Sequence, residues 1–470
     1  MWFFPTQGKT VSRWSVSVAI LLLFCVVAVA STLLLSRPDT QGRTGSGRRA
    51  RLVSSLWGSG SSDSGEVDVA YFIQVSATNL PLLPRLIKVL HHPRNVYAVH
   101  CDRKMDAAAI APVEAAIRAN AAYAKNVRFM KREVVTYRGI SMVLNVLSAM
   151  ETLLAASTSW AYFINISASD YPLVAPIEQR RLLASPGVAD AQANFASVSV
   201  PPKWVAHVAA QRIGKIFVDT ALAFEANDTR IITTRQPNPA FELASWTPHK
   251  SEAWMVLHRS YVEHVVRSPA ARRLLVAFGM SIEASEHFFV TLLANTARFR
   301  RSLVANPLRL VVWYHRGVKA RQHPFWLDDR EANASATVDG STDGYVFADR
   351  LSSTPAWFAR KFRVPDSPLL DALDRTHSGI QLPADVGEAD AVAAASARVR
   401  DAFAAALAKS RASAAAWEAR RAAAAAAGVL PDKIDRTPLD PEVEGGGGEA
   451  HVQGSGTAGV AADAAAADAR

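Results

Sequence analysis

A single uncharged hydrophobic run near the N-terminus, Val16 to Leu35, limits how this chain of 470 residues can be organised. A helix of about 20 apolar residues, rising about 1.5 Å per residue, spans the roughly 30 Å hydrocarbon core of a bilayer. No second run of this kind follows in the sequence. We therefore predict a tail over residues 1–15, a transmembrane anchor over residues 16–35 and a membrane-tethered body beyond them.

The charges beside this run leave its orientation open. Lys9 and Arg13 precede it, whereas five arginines follow it between residues 37 and 51, and that bias taken alone favours a cytosolic body. Ala28-Val29-Ala30 also resembles the small-residue site at which a signal peptide is cleaved. The hydrophobic stretch continues past that site to Leu35, which favours an uncleaved anchor.

Sequons and cysteines bear on the compartment of the body. Three N-glycosylation triplets begin at Asn165, Asn227 and Asn333, and they favour a lumenal location, although the first lies in an apparent strand where we expect no glycan. Cys25 lies in the anchor and Cys101 follows a strand-like run, so we expect no disulfide between them. A domain of this size can be stable through its core alone.

The composition bounds the class of partner. Hydrophobic residues make up 50% of the chain, which is enough for a large core, and the formal net charge is +10. A basic excess suits anionic partners such as nucleotide sugars, acidic glycans or membrane surfaces. We expect no nucleic-acid partner, because no Lys/Arg run interleaved with aromatic residues occurs.

The body divides by composition. Residues 36–66 are rich in Gly, Ser and Arg and are typical of a flexible stem, residues 384–428 form an alanine-rich helical segment, and residues 435–470 have the low complexity of a disordered tail. Between residues 67 and 375, strand-like runs alternate with helical runs, which predicts an α/β domain with a mostly parallel, helix-covered sheet. The first of these runs are Val69–Val75, Leu82–Leu90, Val96–His100, Ala107–Ala124, Val127–Met130, Met142–Leu154 and Tyr162–Ile166.

Several familiar catalytic motifs are missing from the sequence. It contains no Walker-type phosphate loop, no HExxH zinc motif and no CxxC pair. Residues 67–375 also lack the Asp-x-Asp pair with which many nucleotide-sugar enzymes hold a divalent ion against the diphosphate. If this domain binds a nucleotide sugar, another cation must neutralise the phosphates.

The segment VTYRGISMV places Arg138 and Gly139 just before a helix and Ser141 in its first turn. Such a helix N-terminus can bind a phosphate, but an ordinary capped helix is the commoner explanation. In AYFINISASDYPL, a strand ends near Asp170, which could contact a ligand at the sheet edge or simply cap a turn. Glu286 begins an apolar helix, where a glutamate usually only complements the helix dipole.

Taken together and in order, these segments resemble the core-2/I-branching N-acetylglucosaminyltransferase and peptide O-xylosyltransferase family, and most closely its plant-type β-glucuronosyltransferase branch. The resemblance covers most of residues 69–374, and no single piece is as specific as the combination. The matching stretches are VYAVHCD, VVTYRGISMV, YFINISASDYPL, SEAWMVLHRSYVE, the Glu286 helix, RQHP and FARKF. One departure is Ser251-Glu252, where the family often has Gly-Ser, and it bears on the local backbone and on acceptor contacts.

The resemblance implies a role for each candidate residue. Glu286 corresponds to the catalytic base, and Lys361 to a lysine that neutralises the diphosphate. The other residues implied in donor binding are Asp102 at the uridine, Arg138, Gly139, Ser141, Asp170 at the sheet edge, Arg321 and His323 as candidates for a second diphosphate cation, and Arg360. Trp254 and Trp313 are implied on the acceptor side.

By the same resemblance, we expect a single-pass type II Golgi membrane protein with a cytoplasmic tail and a lumenal GT-A-like domain. It would transfer a sugar from a UDP-sugar to a glycoprotein or proteoglycan hydroxyl with inversion and without a metal or other cofactor. One carboxylate suffices as general base for a single displacement, whereas a retaining route would need a second, nucleophilic carboxylate. Glucuronate is the favoured donor sugar. The alternatives are N-acetylglucosamine or xylose as the donor sugar, and a non-catalytic glycan-binding membrane protein.

Overall fold

The computed structural model describes residues 65–199, 202–222, 229–242, 246–313, 324–328, 351, 354–376 and 386–426. All of them belong to one unit, Ser62–Arg470, and the other unit is Met1–Ser61. The predicted tail, the anchor, residues 36–64 of the stem, the C-terminal segment 435–470, Arg321 and His323 lie outside the described residues. Within the ranges given above, no helix has the length and apolar character needed to cross a bilayer.

A seven-stranded sheet forms the centre of the domain, in the order β10-β6-β9-β4-β1-β2-β3. Strands β1, β2, β3 and β4 are mutually parallel, whereas β9 is antiparallel to its neighbours β4 and β6. The strands of this sheet are β1 (Asp68–Val75), β2 (Val96–Cys101), β3 (Val127–Phe129), β4 (Trp160–Ser167), β6 (Asn194–Ala196), β9 (Met255–His258) and β10 (Leu303–Ala305). The predicted α/β domain with a largely parallel sheet is confirmed.

Helices cover both faces of this sheet, which explains why the inner strands are mostly apolar along their whole length. Along β1, Tyr71 and Ile73 face one hydrophobic cluster, whereas Ala70 and Phe72 face the other, as the alternation of side chains along a strand requires. The helices are α1 (Leu83–Leu90), α2 (Ala107–Ala119), α3 (Ser141–Ala156), α4 (Pro176–Ala184), α5 (Pro186–Ala189), α6 (Pro202–Arg212), α7 (Pro239–Glu242), α8 (Arg259–Arg267), α9 (Pro269–Phe278), α10 (Phe288–Asn295), α11 (Ala297–Arg300), α12 (Pro368–Thr376) and α13 (Val386–Ala426).

Two small sheets lie outside the central one. Strands β7 (Lys215–Asp219) and β8 (Ile231–Pro237) pair with each other in antiparallel fashion. The second small sheet has the order β11-β12-β5, formed by β11 (Arg309–Val311), β12 (Phe358–Arg360) and β5 (Asp170–Pro172). It therefore joins a segment close after β4 to two segments from far along the chain.

The alanine-rich helix α13 packs against the domain through the apolar residues in its middle. Phe403 stacks on Phe195 of β6 and on Trp357, with ring centroids 5.3 and 5.4 Å apart. Leu407 is buried in the same cluster, and the Ser410 hydroxyl donates a 2.7 Å hydrogen bond to the backbone oxygen of Leu303. Because these contacts are made to core residues and to edge strand β10, this part of α13 belongs to the body of the domain.

Candidate active site

Glu286 lies in a short 3₁₀ turn, Ala284–Glu286, directly before α10. Its backbone is held on both sides, because its N–H donates to the Glu283 oxygen at 3.0 Å and its own carbonyl accepts from the Ser251 N–H at 2.7 Å. The neighbouring His287 ring is buried and bonds to the backbone oxygen of His249 at 2.9 Å. The Glu286 side chain keeps 28% of its surface exposed, so a ligand can reach it.

Two basic side chains hold one oxygen of this carboxylate. Arg212 Nη1 lies 2.6 Å and Lys250 Nζ 3.3 Å from Glu286 Oε2. Burial by itself would raise the pKa of Glu286, but Lys250 and Arg212 together outweigh it, and the pKa is lower than usual. The carboxylate is therefore ionised at neutral pH. The residues that the structure describes form no hydrogen bond to Oε1, which is the oxygen available to a ligand.

A second carboxylate, that of Glu283, lies beside the first. This carboxylate forms an ion pair with Arg138, and the backbone N–H of Glu283 donates to the Arg138 carbonyl at 2.7 Å. Both residues adopt the left-handed backbone region, with φ of 57° for Glu283 and 70° for Arg138. Burial and the nearby Glu286 raise the pKa of Glu283. The Nε atom of Arg138 thus pairs with a protein carboxylate, while the side chain keeps 40% of its surface exposed.

The N-terminus of α3 is occupied by a carboxylate of the protein itself. Asp219 Oδ2 accepts a 2.9 Å hydrogen bond from the Ser141 N–H, and the Ser141 hydroxyl accepts one of 2.8 Å from the Thr136 N–H. A Cβ at Gly139 would lie 2.0 Å from the same Asp219 oxygen, so glycine is required there for close packing. The N-cap residue Ile140 provides no side-chain cap, and the Asp219 carboxylate from β7 binds the helix N-terminus instead. We therefore leave Gly139 and Ser141 out of the donor site proposed below.

The small sheet brings Asp170 between two arginines. Arg309 Nη1 lies 2.7 Å from Asp170 Oδ2, and Arg360 Nη1 lies 2.9 Å from Oδ1. This follows from the strand register, in which Arg360 of β12 is directly opposite Asp170 of β5 while β11 carries Arg309. The Asp170 and Arg309 side chains are completely buried, and burial lowers the pKa of Arg309 although Asp170 opposes that effect. The three side chains together carry one net positive charge.

Aromatic rings hold the cations of this cluster in place. The guanidinium of Arg360 lies 4.1 Å from the ring centre of Trp254, and that of Arg309 lies 5.0 Å from it. Lys361 Nζ lies 4.0 Å from the ring centre of Trp326. Burial, and then the charge of Arg360, lower the pKa of Lys361 to about 8. No carboxylate in the described part of the chain pairs with Lys361, so its charge is available for an anion.

The segment that leads into β9 connects the two clusters. The Ser251 N–H donates to the Glu286 carbonyl at 2.7 Å, and three residues later the Trp254 ring lies 4.1 Å from the guanidinium of Arg360. The segment before β9 is fixed to β4, since Asn165 donates to the Ala253 oxygen at 2.7 Å and accepts from the Met255 N–H at 2.8 Å, which positions Trp254.

The two remaining candidates lie at strand ends. Asp102 follows β2, its N–H donates to the Val75 oxygen at 3.1 Å, and its carboxylate accepts from the Lys104 N–H at 2.9 Å. Trp313 follows β11 and is 37% exposed. No group of three or more His, Cys, Asp or Glu side chains suited to a metal ion occurs among residues 65–426, leaving aside the undescribed gaps between them.

Sequence reasoning missed the residues that tune this site. It did not select Arg212 or Lys250 as partners of Glu286, nor Glu283 as the partner of Arg138. A local signal existed only for Arg309, because an arginine inside the apolar run LRLVV is expected to be paired when it is buried.

The sequence profile of the Core-2/I-Branching enzyme family matches residues 69–335, which is more than half of the chain. The chain belongs to this family. The match begins in β1 and includes Asp102, Asp170 and Glu286, whereas Arg360, Lys361 and helix α13 follow after its end.

Named relatives share the same region. The chain is 31% identical over 312 residues to the beta-glucuronosyltransferase GlcAT14A of Arabidopsis thaliana, covering 65% of this chain and 63% of the relative. It is 30% identical over 313 residues to GlcAT14B of the same plant, covering 65% of each. It is 28% identical over 213 residues to a mouse beta-1,3-galactosyl-O-glycosyl-glycoprotein beta-1,6-N-acetylglucosaminyltransferase 3, covering 44% and 43% of the two chains. The chain thus spans less than two thirds of the length of these relatives.

Among solved structures, a UDP-glucose pyrophosphorylase complexed with UDP-glucose is similar at 11% identity over 46% of this chain and 89% of that one. Its TM-score of 0.21 supports no inference.

Proposed function

We propose that this chain is an inverting glycosyltransferase that moves a sugar from a UDP-sugar to a hydroxyl of a glycoprotein or proteoglycan glycan. The observation that carries the proposal is the pairing of one ionised, reachable carboxylate with a separate cluster of cations. Glu286 is the general base, and Lys361 and Arg360 are the groups that bind the diphosphate.

The state of Glu286 fits the role of general base. The acceptor hydroxyl must lose its proton as it attacks the anomeric carbon, and a carboxylate can take it only if it is ionised beforehand. Arg212 and Lys250 keep Glu286 ionised through Oε2, which leaves Oε1 to accept the proton. Once Oε1 is protonated, the same two cations hold the side chain in place until the proton leaves.

The cation cluster fits the role of stabilising the leaving group. Charge develops on the departing UDP as the glycosidic bond breaks, and fixed positive groups in a partly dry site stabilise that charge. Lys361 has no carboxylate partner among the described residues, and Arg360 shares Asp170 with Arg309, so the cluster retains net positive charge. These side chains take the part that a metal ion plays in other nucleotide-sugar enzymes, and we propose transfer without a metal.

The donor sugar proposed first is glucuronate. It is supported by the two Arabidopsis relatives at 31% and 30% identity, which are named beta-glucuronosyltransferases. N-acetylglucosamine is the alternative that the mouse relative's name supports, and xylose is the one supported by the name of a dog xylosyltransferase 2 at 27% identity. A lumenal Golgi location, with a type II membrane anchor at residues 16–35, completes the proposal.

The experiment that tests this function is a donor screen with the purified full chain. UDP-glucuronate, UDP-N-acetylglucosamine and UDP-xylose are supplied separately with proteoglycan and glycoprotein acceptors, with and without excess EDTA, and product and UDP are measured. We expect transfer from one donor, at the same rate in EDTA. Loss of transfer in EDTA would overturn the metal-independent mechanism, and absence of both transfer and hydrolysis for all donors would overturn the enzymatic function.

A further inference from the structure

Glu252 lies between the two halves of the site and has no part in the mechanism above. Its backbone is fixed, because its N–H donates to the Ser197 hydroxyl at 2.6 Å and its carbonyl accepts from the Ser251 hydroxyl at 2.7 Å. Ser251 in turn donates its N–H to the Glu286 carbonyl at 2.7 Å. The position of Glu252 is therefore tied directly to that of the base.

The carboxyl group of Glu252 is buried but incompletely bonded. Neither of its oxygens has a hydrogen-bond partner among the described residues, and only Oε2 is inaccessible to solvent. Buried polar groups are nearly always paired, since leaving one unpaired costs free energy, so this carboxyl group indicates a place where a ligand's hydrogen-bond donor can reach Oε1.

The residues on either side of Glu252 contact both halves of the site. Ser251 precedes it and is bonded to the Glu286 carbonyl, and the ring of Trp254, two residues after it, lies 4.1 Å from the guanidinium of Arg360. The charges that act on its carboxyl group agree with this position, since they come from Arg309, Arg360, Lys250 and Glu286. Burial raises the pKa of Glu252 and the nearby Glu286 adds to the rise, although the three cations oppose it. Because the three cations do not cancel the effect of burial, a hydroxyl that donates a hydrogen bond to the Glu252 carboxyl group stabilises its charge.

The chemistry of the reaction identifies the ligand group that lies there. In a single displacement, the attacking hydroxyl and the leaving phosphate are on opposite sides of the anomeric carbon, so the transferred sugar lies between the base and the diphosphate cations. Because the segment that carries Glu252 contacts both groups, we place its Oε1 beside the sugar rather than beside the uridine.

We propose that Glu252 accepts a hydrogen bond from a ring hydroxyl of the transferred sugar and so helps to select the donor. This inference rests on the proposed function, because it requires a UDP-sugar in the site. It assigns a specificity-determining contact to a residue that lies outside the base and the cation cluster.

The test measures binding of UDP and of UDP-sugars separately by isothermal titration calorimetry on the full chain. The probes are UDP, UDP-glucuronate, UDP-N-acetylglucosamine and UDP-xylose, and the proteins are wild type, Glu252→Ala, Glu252→Gln and the control Glu263→Gln. Glu263 pairs with Arg259 on α8, so this control removes a partly buried carboxylate charge outside the site. We expect Glu252→Ala to bind the preferred UDP-sugar about 10- to 100-fold more weakly, with UDP affinity unchanged within about twofold.

Unchanged UDP affinity also shows that the variant is folded. If Glu252→Ala does not fold, Glu252→Gln provides the test, because it keeps the shape and should lose at least about threefold in UDP-sugar affinity alone. Analogues of the preferred donor that lack a single ring hydroxyl locate the contact. For one of them, wild type should lose affinity and Glu252→Ala should lose none further.

Two outcomes overturn this inference while leaving the proposed function intact. One is UDP-sugar affinity in both variants equal to wild type, and the other is an equal loss of UDP and UDP-sugar affinity, which would mean that Glu252 acts on the cation cluster. A wild-type protein that binds no UDP-sugar more tightly than it binds UDP, and transfers none, overturns the proposed function together with this inference.

Discussion

Replacing Asp170 with asparagine tests the most deeply buried charges of the site. The substitution keeps the shape of the side chain but removes its charge, and it leaves Arg309, which has no exposed side-chain surface, without its counterion at 2.7 Å. Breaking a buried ion pair by removing one partner costs about 3–5 kcal/mol, because the remaining charge stays buried and uncompensated. Arg360 keeps 14% of its side-chain surface in contact with solvent, so it should contribute less to this loss than Arg309.

The assay is urea unfolding at neutral pH, with the free energy of unfolding compared between variants of equal m-value. We expect Asp170→Asn to lose about 3–5 kcal/mol and the double variant Asp170→Asn/Arg309→Met to recover most of it, because no fully buried charge is then left unpaired. Glu114→Gln is the control, since its ion pair with Arg118 on α2 is largely exposed and should contribute only about 0.3–0.5 kcal/mol. A loss below about 1 kcal/mol for Asp170→Asn, or a double variant as unstable as the single one, would refute the reasoning.

Three further predictions concern other parts of the site. Burial lowers the pKa of Lys361 to about 8, so the UDP affinity of the wild type, measured by calorimetry, should fall as the pH rises through that value. Lys361→Ala should bind UDP weakly at every pH. A wild-type affinity that does not depend on pH would contradict this prediction. Lys250→Met removes a cation that lowers the pKa of Glu286, so the acid limb of the pH profile of kcat/KM should move to higher pH. An acid limb that stays where it is would mean that Glu286 is not the group that titrates there. Gly139→Ala puts a methyl group 2.0 Å from Asp219 Oδ2 and should lower the free energy of unfolding in urea by about 1–3 kcal/mol; an unchanged value would argue against this packing.

Much of the fold can be predicted from the sequence because its central strands are buried on both faces. The runs Val69–Val75 and Tyr162–Ile166 are apolar segments of strand length, each interrupted by one polar residue, and they lie within β1 and β4 of the parallel sheet. The apolar run after Glu286 is likewise the helix α10. Each of these signals is local, since a strand or helix with buried faces must carry the corresponding pattern of hydrophobic residues.

The partners within the site could not be predicted in the same way, because they join distant parts of the chain. Arg212 and Glu286 are 74 residues apart, and Asp170 and Arg360 are 190 apart, yet each pair is in contact. No local pattern encodes such a contact, which depends on the order of strands in two sheets. The Asp219 carboxylate at the start of α3 also comes from a separate small sheet, and it settles how that helix is capped.

The central claim is that Glu286 takes the acceptor's proton while basic side chains stabilise the departing UDP. The most direct test is the rate of sugar transfer by Glu286→Gln, measured with the preferred donor at saturation, alongside its UDP affinity. We predict a rate about 10²- to 10⁴-fold below wild type, with UDP affinity nearly unchanged, because the amide cannot accept the proton. A variant that transfers sugar at the wild-type rate would contradict the account.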